Sequence, residues 1–207
     1  MREETLRRRE EILKAAMATF GSKGYHNGPL AEIAEQVDMT HAGILHHFGS
    51  KDHLLLEVLR YRDESDVAGL DGQHIPGGID MFRHLVRTAF LNAQRAGIVQ
   101  TYAVLSAESV TDDHPARAFF EGRYRTLRSE AVEAFEALCA ERGVAVPATV
   151  RHASASILAV MDGLQVQWLL DPEGVDMVAV TRRTIDALLA ALGAPPRAGR
   201  DGPATGA

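Results

Sequence analysis

GYHNGPLAEIAEQVDMTHAGILHHFGSKDHLL, residues Gly24 to Leu55, reads as two short helices joined by a three-residue turn, with a further helix restarting after Ser50. Leu30, Ile33, Ala34 and Val37 fall at i, i+3, i+4 and i+7, so the first of these helices has one apolar face that must pack on something. Pro29 suits its first turn, because an N–H there has no intrahelical partner and proline lacks one. Val37, Asp38 and Met39 form the turn. Asp38 takes the position that calls for a left-handed backbone, which Asp tolerates better than most non-glycine residues. Thr40 is placed to cap the second helix. Along that helix Ile44 and Phe48 face inward one turn apart, whereas Ala42, Gly43 and His46 point away and His41, Leu45 and His47 lie on the flanks.

Upstream, Leu6 to Ser22 reads as a helix with Leu13, Met17 and Phe20 on one face, stopped by Gly24. Downstream, Ser50 caps a helix in which Leu54, Leu55, Val58 and Leu59 form the buried stripe. A helix-turn-helix supported in this way lays its second helix in a DNA major groove, with outward side chains reaching base edges and phosphates. Thr40 opens that helix, and His41, Ala42 and His46 are best placed for bases. Leu45 either meets a thymine methyl or packs within the module. Tyr25 either reaches the DNA backbone or fills the small core. His46 and His47 point about 100° apart on a helix and do not converge on one ion, so no metal site is read there.

A chain of 207 residues with 46% hydrophobic content is long enough for a sizeable core. Its single cysteine, Cys139, excludes an internal disulfide and a multi-cysteine zinc site. The charged N-terminus, and apolar runs judged shorter than the roughly 18 residues of a membrane span, lead to the expectation of a soluble, unexported, cytoplasmic protein with no membrane partner. The formal net charge is −6. Residues 1–51 hold Arg2, Arg7, Arg8, Arg9, Lys14, Lys23 and Lys51 against Glu3, Glu4, Glu10, Glu11, Glu32, Glu35 and Asp38, and so sum to zero; the whole deficit lies in residues 52–207. A neutral module must hold DNA through a local basic face and helix N-termini, with a moderate salt dependence.

Beyond the module, residues 66–78 are Gly-rich and contain Pro76, which reads as a loop. Phe82, Leu85, Val86, Ala89 and Phe90 mark the apolar stripe of one helix, and Ile98, Tyr102 and Leu105 that of another. The loop Thr111 to Pro115 starts a long helix that runs to Arg142 and ends at Gly143, with Asp112, Asp113 and His114 read as its cap rather than as metal ligands. Val150 to Leu170 and Val175 to Leu192 complete the set, separated by the turn Asp171 to Gly174. No segment alternates strictly enough for a sheet, so the fold class is all-α, with about nine helices. The division is residues 1–52 as a DNA-binding domain, 53–193 as an effector-binding and dimerisation domain with 53–66 as connector, and 194–207 as a disordered tail.

The ordered set Gly24-Tyr25, Ile33-Ala34, His47-Phe48 and Ser50-Lys51 resembles the N-terminal module of the tetracycline-repressor-like (TetR) transcription regulators, over about Leu6 to Leu59. The run from Met161 to Met177 also looks like a stretch found in some members. Three positions depart from the family pattern: Gly28-Pro29 replaces a Thr or Ser pair, Asp38 the turn glycine, and Leu45 a frequent DNA-contacting tyrosine. The resemblance implies that His47 and Lys51 contact phosphate. It also implies a homodimer built from the last two helices of each subunit, for which Leu158, Met161, Gly163, Leu164, Val178, Ile185 and Leu188 are the candidates. A small-molecule effector would sit in the C-terminal lobe. Candidate walls are Phe82, Leu85, Tyr102, Leu105, Phe120, Tyr124 and Trp168, with Glu108 and Gln165 as polar anchors.

The leading expectation is a homodimeric, ligand-responsive regulator, a repressor released from a palindromic double-stranded DNA operator. A helical regulator controlled by a partner protein is the alternative. An enzyme is disfavoured, because the chain has no H-E-x-x-H, no Gly-rich phosphate loop and no nucleophile beside a base; no cofactor is called for either. The neutral module also carries His26, His41, His46 and His47. Their protonation would supply part of its phosphate attraction, so binding is expected to weaken as pH rises.

Overall fold

A computed structural model describes residues 2–67 and 75–192, and among these there are nine α-helices and no strand. They are α1 (Arg2–Asn27), α2 (Leu30–Gln36), α3 (His41–Phe48), α4 (Lys51–Val67), α5 (Gly78–Asn92), α6 (Ala96–Glu108), α7 (Arg117–Glu141), α8 (Val150–Leu170) and α9 (Met177–Ala191). The helix-turn-helix forms as its residues dictate. Pro29 is extended ahead of α2, Asp38 takes φ 51°, and the Thr40 side chain accepts the Gly43 N–H at 3.1 Å. Gly49 (φ 76°) ends α3, and Ser50 Oγ accepts the His53 N–H at 3.0 Å to start α4. α1 runs on past Ser22 to Asn27, and its geometry breaks at Gly24, the expected stop (φ 75°, ψ 175°).

The apolar faces meet in two clusters. In the first, Ile12, Met17 and Phe20 of α1 close over Ile33 of α2, Ile44 and Phe48 of α3, and Leu54, Leu55 and Val58 of α4. Tyr102 and Leu105 of α6 and Phe120 of α7 belong to this same cluster, so the core of the helix-turn-helix continues into the C-terminal lobe. Fully burying one such side chain stabilises by about 1.5–3 kcal/mol. The second cluster joins α5, α7, α8 and α9 through Met81, Phe82, Phe135, Leu138, Ile157 and Ile185, with the Phe82 and Phe135 rings 4.7 Å apart.

α1 lies along α6 at close range because Gly21 has no side chain. A Cβ there would collide with Thr101 Oγ1, which itself donates to Met17 O at 2.9 Å.

Several sequence expectations change. Phe90, placed by periodicity on the apolar stripe of α5, is 55% exposed. α7 starts two residues after Pro115 without a side-chain cap; Asp112 pairs instead with Arg117 at 3.2 Å, and His114 Nδ1 accepts the Ala116 N–H. α8, contrary to the expectation about apolar runs, is by length and composition apolar enough to cross a membrane, with mean hydropathy 1.2 over its best window. In the fold it packs against α6, α7 and α9, burying Ile157, Leu158 and Leu164. Most of the expected loop at 66–78 and the whole expected tail lie outside the described residues.

The Gly21 contact predicts that Gly21→Val destabilises the protein by about 1–3 kcal/mol through overpacking against α6. Gly122→Ala, inside α7 with nothing within 4 Å of the new methyl, should instead stabilise it by about 0.5–1 kcal/mol. Urea unfolding of both variants checks the pair.

Candidate functional site

α3 presents His41, Ala42 and His46 to solvent, with His47 and Gly43 half-buried. Thr40 is spent on the cap at the N-terminus of α3, where unpaired backbone N–H groups also favour a phosphate. Leu45 is half-buried and packs on the N-terminal core, so the side chain standing where the family offers a tyrosine serves packing.

The helix is held from behind by arginines whose role the sequence did not disclose. Arg9 donates to the His47 carbonyl at 2.5 Å, lies 4.3 Å from the Phe48 ring centre and reaches Glu57 of α4 at 3.3 Å. One guanidinium thus satisfies a carbonyl in the last turn of α3 and ties the helix to α4. Arg8 does the same for the turn, donating to the Val37 carbonyl at 3.3 Å and to Glu11 at 2.9 Å. Pairs Arg7–Glu11, Lys14–Glu10 and Lys23–Glu32 occupy most of the remaining basic side chains, at 2.6, 2.7 and 2.5 Å. The formal neutrality of the module is therefore local as well as global.

Tyr25, one of the expected DNA contacts, is buried. Its hydroxyl donates to Asp52, its N–H donates to Glu108 Oε2 at 2.8 Å, and its ring packs 5.9 Å from Phe20 and 5.4 Å from His114. Tyr25 thus fills the core, with its hydroxyl and its backbone N–H both satisfied inside the protein. Lys51 lies over the Tyr25 ring at 4.6 Å and donates to His26 O at 3.4 Å. Burial lowers its pKa, opposed by Asp52 and Glu108. Glu108, expected as an effector anchor, sits at this joint instead, 3.8 Å from His114 Nε2.

His47 is pushed below its ordinary pKa, first by burial, then by His46, Arg9 and Arg8, so its positive charge is disfavoured at neutral pH.

A cavity of about 340 Å³ opens between α4, α5, α6, α7 and α8. Leu85, Tyr102, Tyr124 and Gln165 line it, as the sequence suggested; Phe82, Leu105, Phe120 and Trp168 do not. Leu105 and Phe120 are sealed into the N-terminal core and Phe82 into the second one, while Trp168 lies half-buried away from the cavity. The polar wall is a network from α4, α6, α7 and α8. Tyr124 donates to Asp162 at 2.7 Å, Asp63 pairs with Arg123 at 2.5 Å and Arg62 at 3.1 Å, and Arg62 stacks on Tyr102 at 4.5 Å. Burial raises the Asp162 pKa, opposed by Tyr124, Arg123 and Arg62, and the same burial raises that of Tyr124. Arg62 and Arg123 stand against Asp63, Glu64, Glu130 and Asp162 in the lining, a formal excess of carboxylates, and Leu127, Leu158 and Met161 supply apolar surface. Charged residues of α4 were missed because helical periodicity marks apolar faces, not a buried ion network.

The same two residues, Leu158 and Met161, were expected at a dimer face and face the cavity instead. Ile185 is buried in the second core, Leu188 is packed against it, Leu164 is 6% exposed, and Val178 lines a groove between α5 and α9. Gly163 does lie on an open face of α8 and α9, beside Ala159, Val160, Gln167 and Val180. Val166, Leu170 and Val180 are exposed there at 48%, 81% and 40%.

Residues 12–58 match the family of bacterial regulatory proteins designated tetR, and residues 79–190 match the C-terminal domain of BetI-type transcriptional repressors. The chain is 28% identical over 192 residues to the regulator BetI of Paraburkholderia phymatum, covering 88% of this chain and 93% of that one. Its fold is similar to that of the transcriptional regulator FadR from Bacillus subtilis in complex with stearoyl-CoA, at TM-score 0.71 and 15% identity, covering 87% of this chain and 97% of the other. It is also similar to a transcriptional regulator from Saccharomonospora viridis in complex with choline, at TM-score 0.67 and 22% identity, covering 86% and 93%.

His114 generates a pH prediction. Burial depresses its pKa, with His26 acting the same way and Glu108 and Asp52 opposing. The unfolded chain takes up this proton near pH 6.5 and the folded chain only at lower pH, so stability is full above about pH 6.5 and declines below it. Thermal melts should show a lower midpoint at about pH 5 than at about pH 7.5. His114→Asn, whose side-chain oxygen can still accept the Ala116 N–H, should shrink that difference; an unaltered difference contradicts the assignment.

Proposed function

The chain belongs to the tetR family of bacterial regulatory proteins, with a BetI-type C-terminal domain, and we propose that it acts as a cytoplasmic homodimer that reads a palindromic operator and is released by a small effector. Residues 1–52 read DNA, and residues 53–193 bind the effector and dimerise. What carries this reading is the open face of α3, His41, Ala42 and His46, on a helix clamped from behind by Arg9 and seated on a core that continues into the cavity-lining α6.

One recognition helix spans only a few base pairs, so two copies related by a two-fold axis, with readers about 34 Å apart, are needed for a specific site. The open apolar strip of Gly163, Val166, Leu170 and Val180 is the surface that pairing would cover. His41 and His46 would read base edges, and Ala42 would leave room for a thymine methyl. Because the basic side chains are largely paired within the module, phosphate contacts come from helix N-termini, His47 and Lys51, and from exposed lysines and arginines that exchange a surface carboxylate for a phosphate.

The cavity suits a compact amphiphile, its apolar part against Leu85, Leu127, Leu158 and Met161 and its polar group toward Gln165 and the Tyr124–Asp162 pair. Its excess of carboxylates over arginines favours a neutral or positively charged polar group over an anion. Occupancy shifts the protein between states only by the ligand's differential affinity for them, typically about 1–3 kcal/mol of coupling.

Selection of bound sequences from random duplex DNA tests the proposal. An enriched inverted repeat is the expected result, and no enrichment at low salt would overturn it. With the selected duplex, His46→Ala should relax preference at one base position per half-site by about tenfold, with phosphate-driven binding to other sequences unchanged.

A further inference from the structure

Glu108 is the last residue of α6, and its carboxylate reaches out of the C-terminal lobe to the place where α1 breaks. Its Oε2 accepts the Tyr25 N–H at 2.8 Å, one residue after Gly24. That carboxylate occupies the space a side chain at Gly24 would fill, since a Cβ built there collides with Glu108 Oε1. The positive φ of Gly24 and its missing side chain are both needed for the contact. A backbone N–H freed by a helix break would otherwise be left without its i−4 carbonyl at a buried residue, and a carboxylate is a strong acceptor for it.

From Tyr25 the contacts run on into the reader. The Tyr25 hydroxyl donates to Asp52 at the start of α4, and its ring carries the Lys51 ammonium. Two residues separate α4 from the end of α3, and the other end of α4 supplies Arg62 and Asp63 to the cavity wall. Tyr25 is thus held from one side by α6 and from the other by α4, the two helices that connect the cavity to the helix-turn-helix. Around Glu108 stand His114 at 3.8 Å, Lys51 and, behind His114, the His26 ring at 5.7 Å.

We infer that Glu108 is a positioning residue for DNA reading: by gripping the Tyr25 N–H at the Gly24 break, it fixes the angle at which the helix-turn-helix leaves the lobe. In a dimer this angle sets the separation of the two recognition helices, so Glu108 governs half-site spacing while touching no DNA. The inference rests on the dimeric operator reading proposed above.

Glu108→Ala removes the acceptor, Glu108→Asp withdraws it by one methylene, and Glu108→Gln keeps an oxygen in reach. The first measurement needs no DNA. Exchange of the Tyr25 amide hydrogen should accelerate about tenfold or more in Glu108→Ala and Glu108→Asp and stay near wild type in Glu108→Gln. The second is the ratio of affinities for the selected inverted repeat and for the same repeat with one base pair inserted at its centre. That ratio should fall about tenfold in the Ala and Asp variants, with non-specific duplex binding unchanged, and be retained in Glu108→Gln. Loss of binding to all duplexes in equal proportion, with the ratio intact, would mark a merely structural role and overturn the inference. So would wild-type exchange at Tyr25 in Glu108→Asp, which keeps the inference open to refutation if the Ala variant does not fold. If the wild-type chain itself shows no spacing preference, the dimeric reader fails and the spacing claim with it, while Tyr25 exchange still decides whether Glu108 holds the break.

Discussion

Thr101 of α6 lies against the backbone of α1 where Gly21 leaves room, and about two turns further along α6 Glu108 takes the Tyr25 N–H released by Gly24. This seating of α6 on α1 is the constraint the rest of the structure depends on. α1 forms one wall of the helix-turn-helix core, and α6 forms one wall of the cavity, so the two functional regions share a pair of helices packed backbone to side chain. Interiors packed in this way respond to displacement by moving as blocks rather than by deforming gradually. A ligand that shifts α6 therefore acts on the orientation of α3 through contacts already in place.

The electrostatics follow a similar economy. Arg8 and Arg9 look in sequence like the start of a basic DNA-binding arm, yet their guanidiniums satisfy the carbonyls of Val37 and His47 and so fix the two ends of the turn and reader. Arg9 adds the Phe48 ring and Glu57. Charge that would attract phosphate is invested in the geometry of the recognition helix, and the His47 pKa is lowered first by burial, then by His46 and by these same arginines. A reader built in this way would gain less from counterion release and lean more on the shape and polarity of α3, in line with the expected moderate salt dependence.

The helix-turn-helix was legible because every local signal in it is short-range: the i, i+3, i+4 stripe of Leu30 to Val37, the left-handed Asp38 and the Thr40 and Ser50 caps. The helices of the lobe could be read for the same reason, down to the limits Val150 and Leu170. What could not be read were partners distant in sequence. Tyr25 with Asp52 and Glu108, Arg9 with His47, and Arg123 with Asp63 join elements 27 to 83 residues apart or through an ion network with no periodic trace. Leu158 and Met161, expected at a dimer face, line the cavity, and Ile185 lies in the second core, because apolar character marks burial without saying whether the cover is the same chain or a second one.

The shared core gives the account its most direct test. Tyr102, Leu105 and Phe120 of the lobe lie in the cluster that holds α1 to α4 together, so the helix-turn-helix has no complete core of its own. Differential scanning calorimetry of the full chain, paired with hydrogen exchange resolved along α2, α3 and α6, measures whether they unfold together. A single transition, with α3 and α6 opening at the same free energy, is the predicted result. A separate, earlier transition in which α2 and α3 lose protection while α6 keeps it would contradict the account.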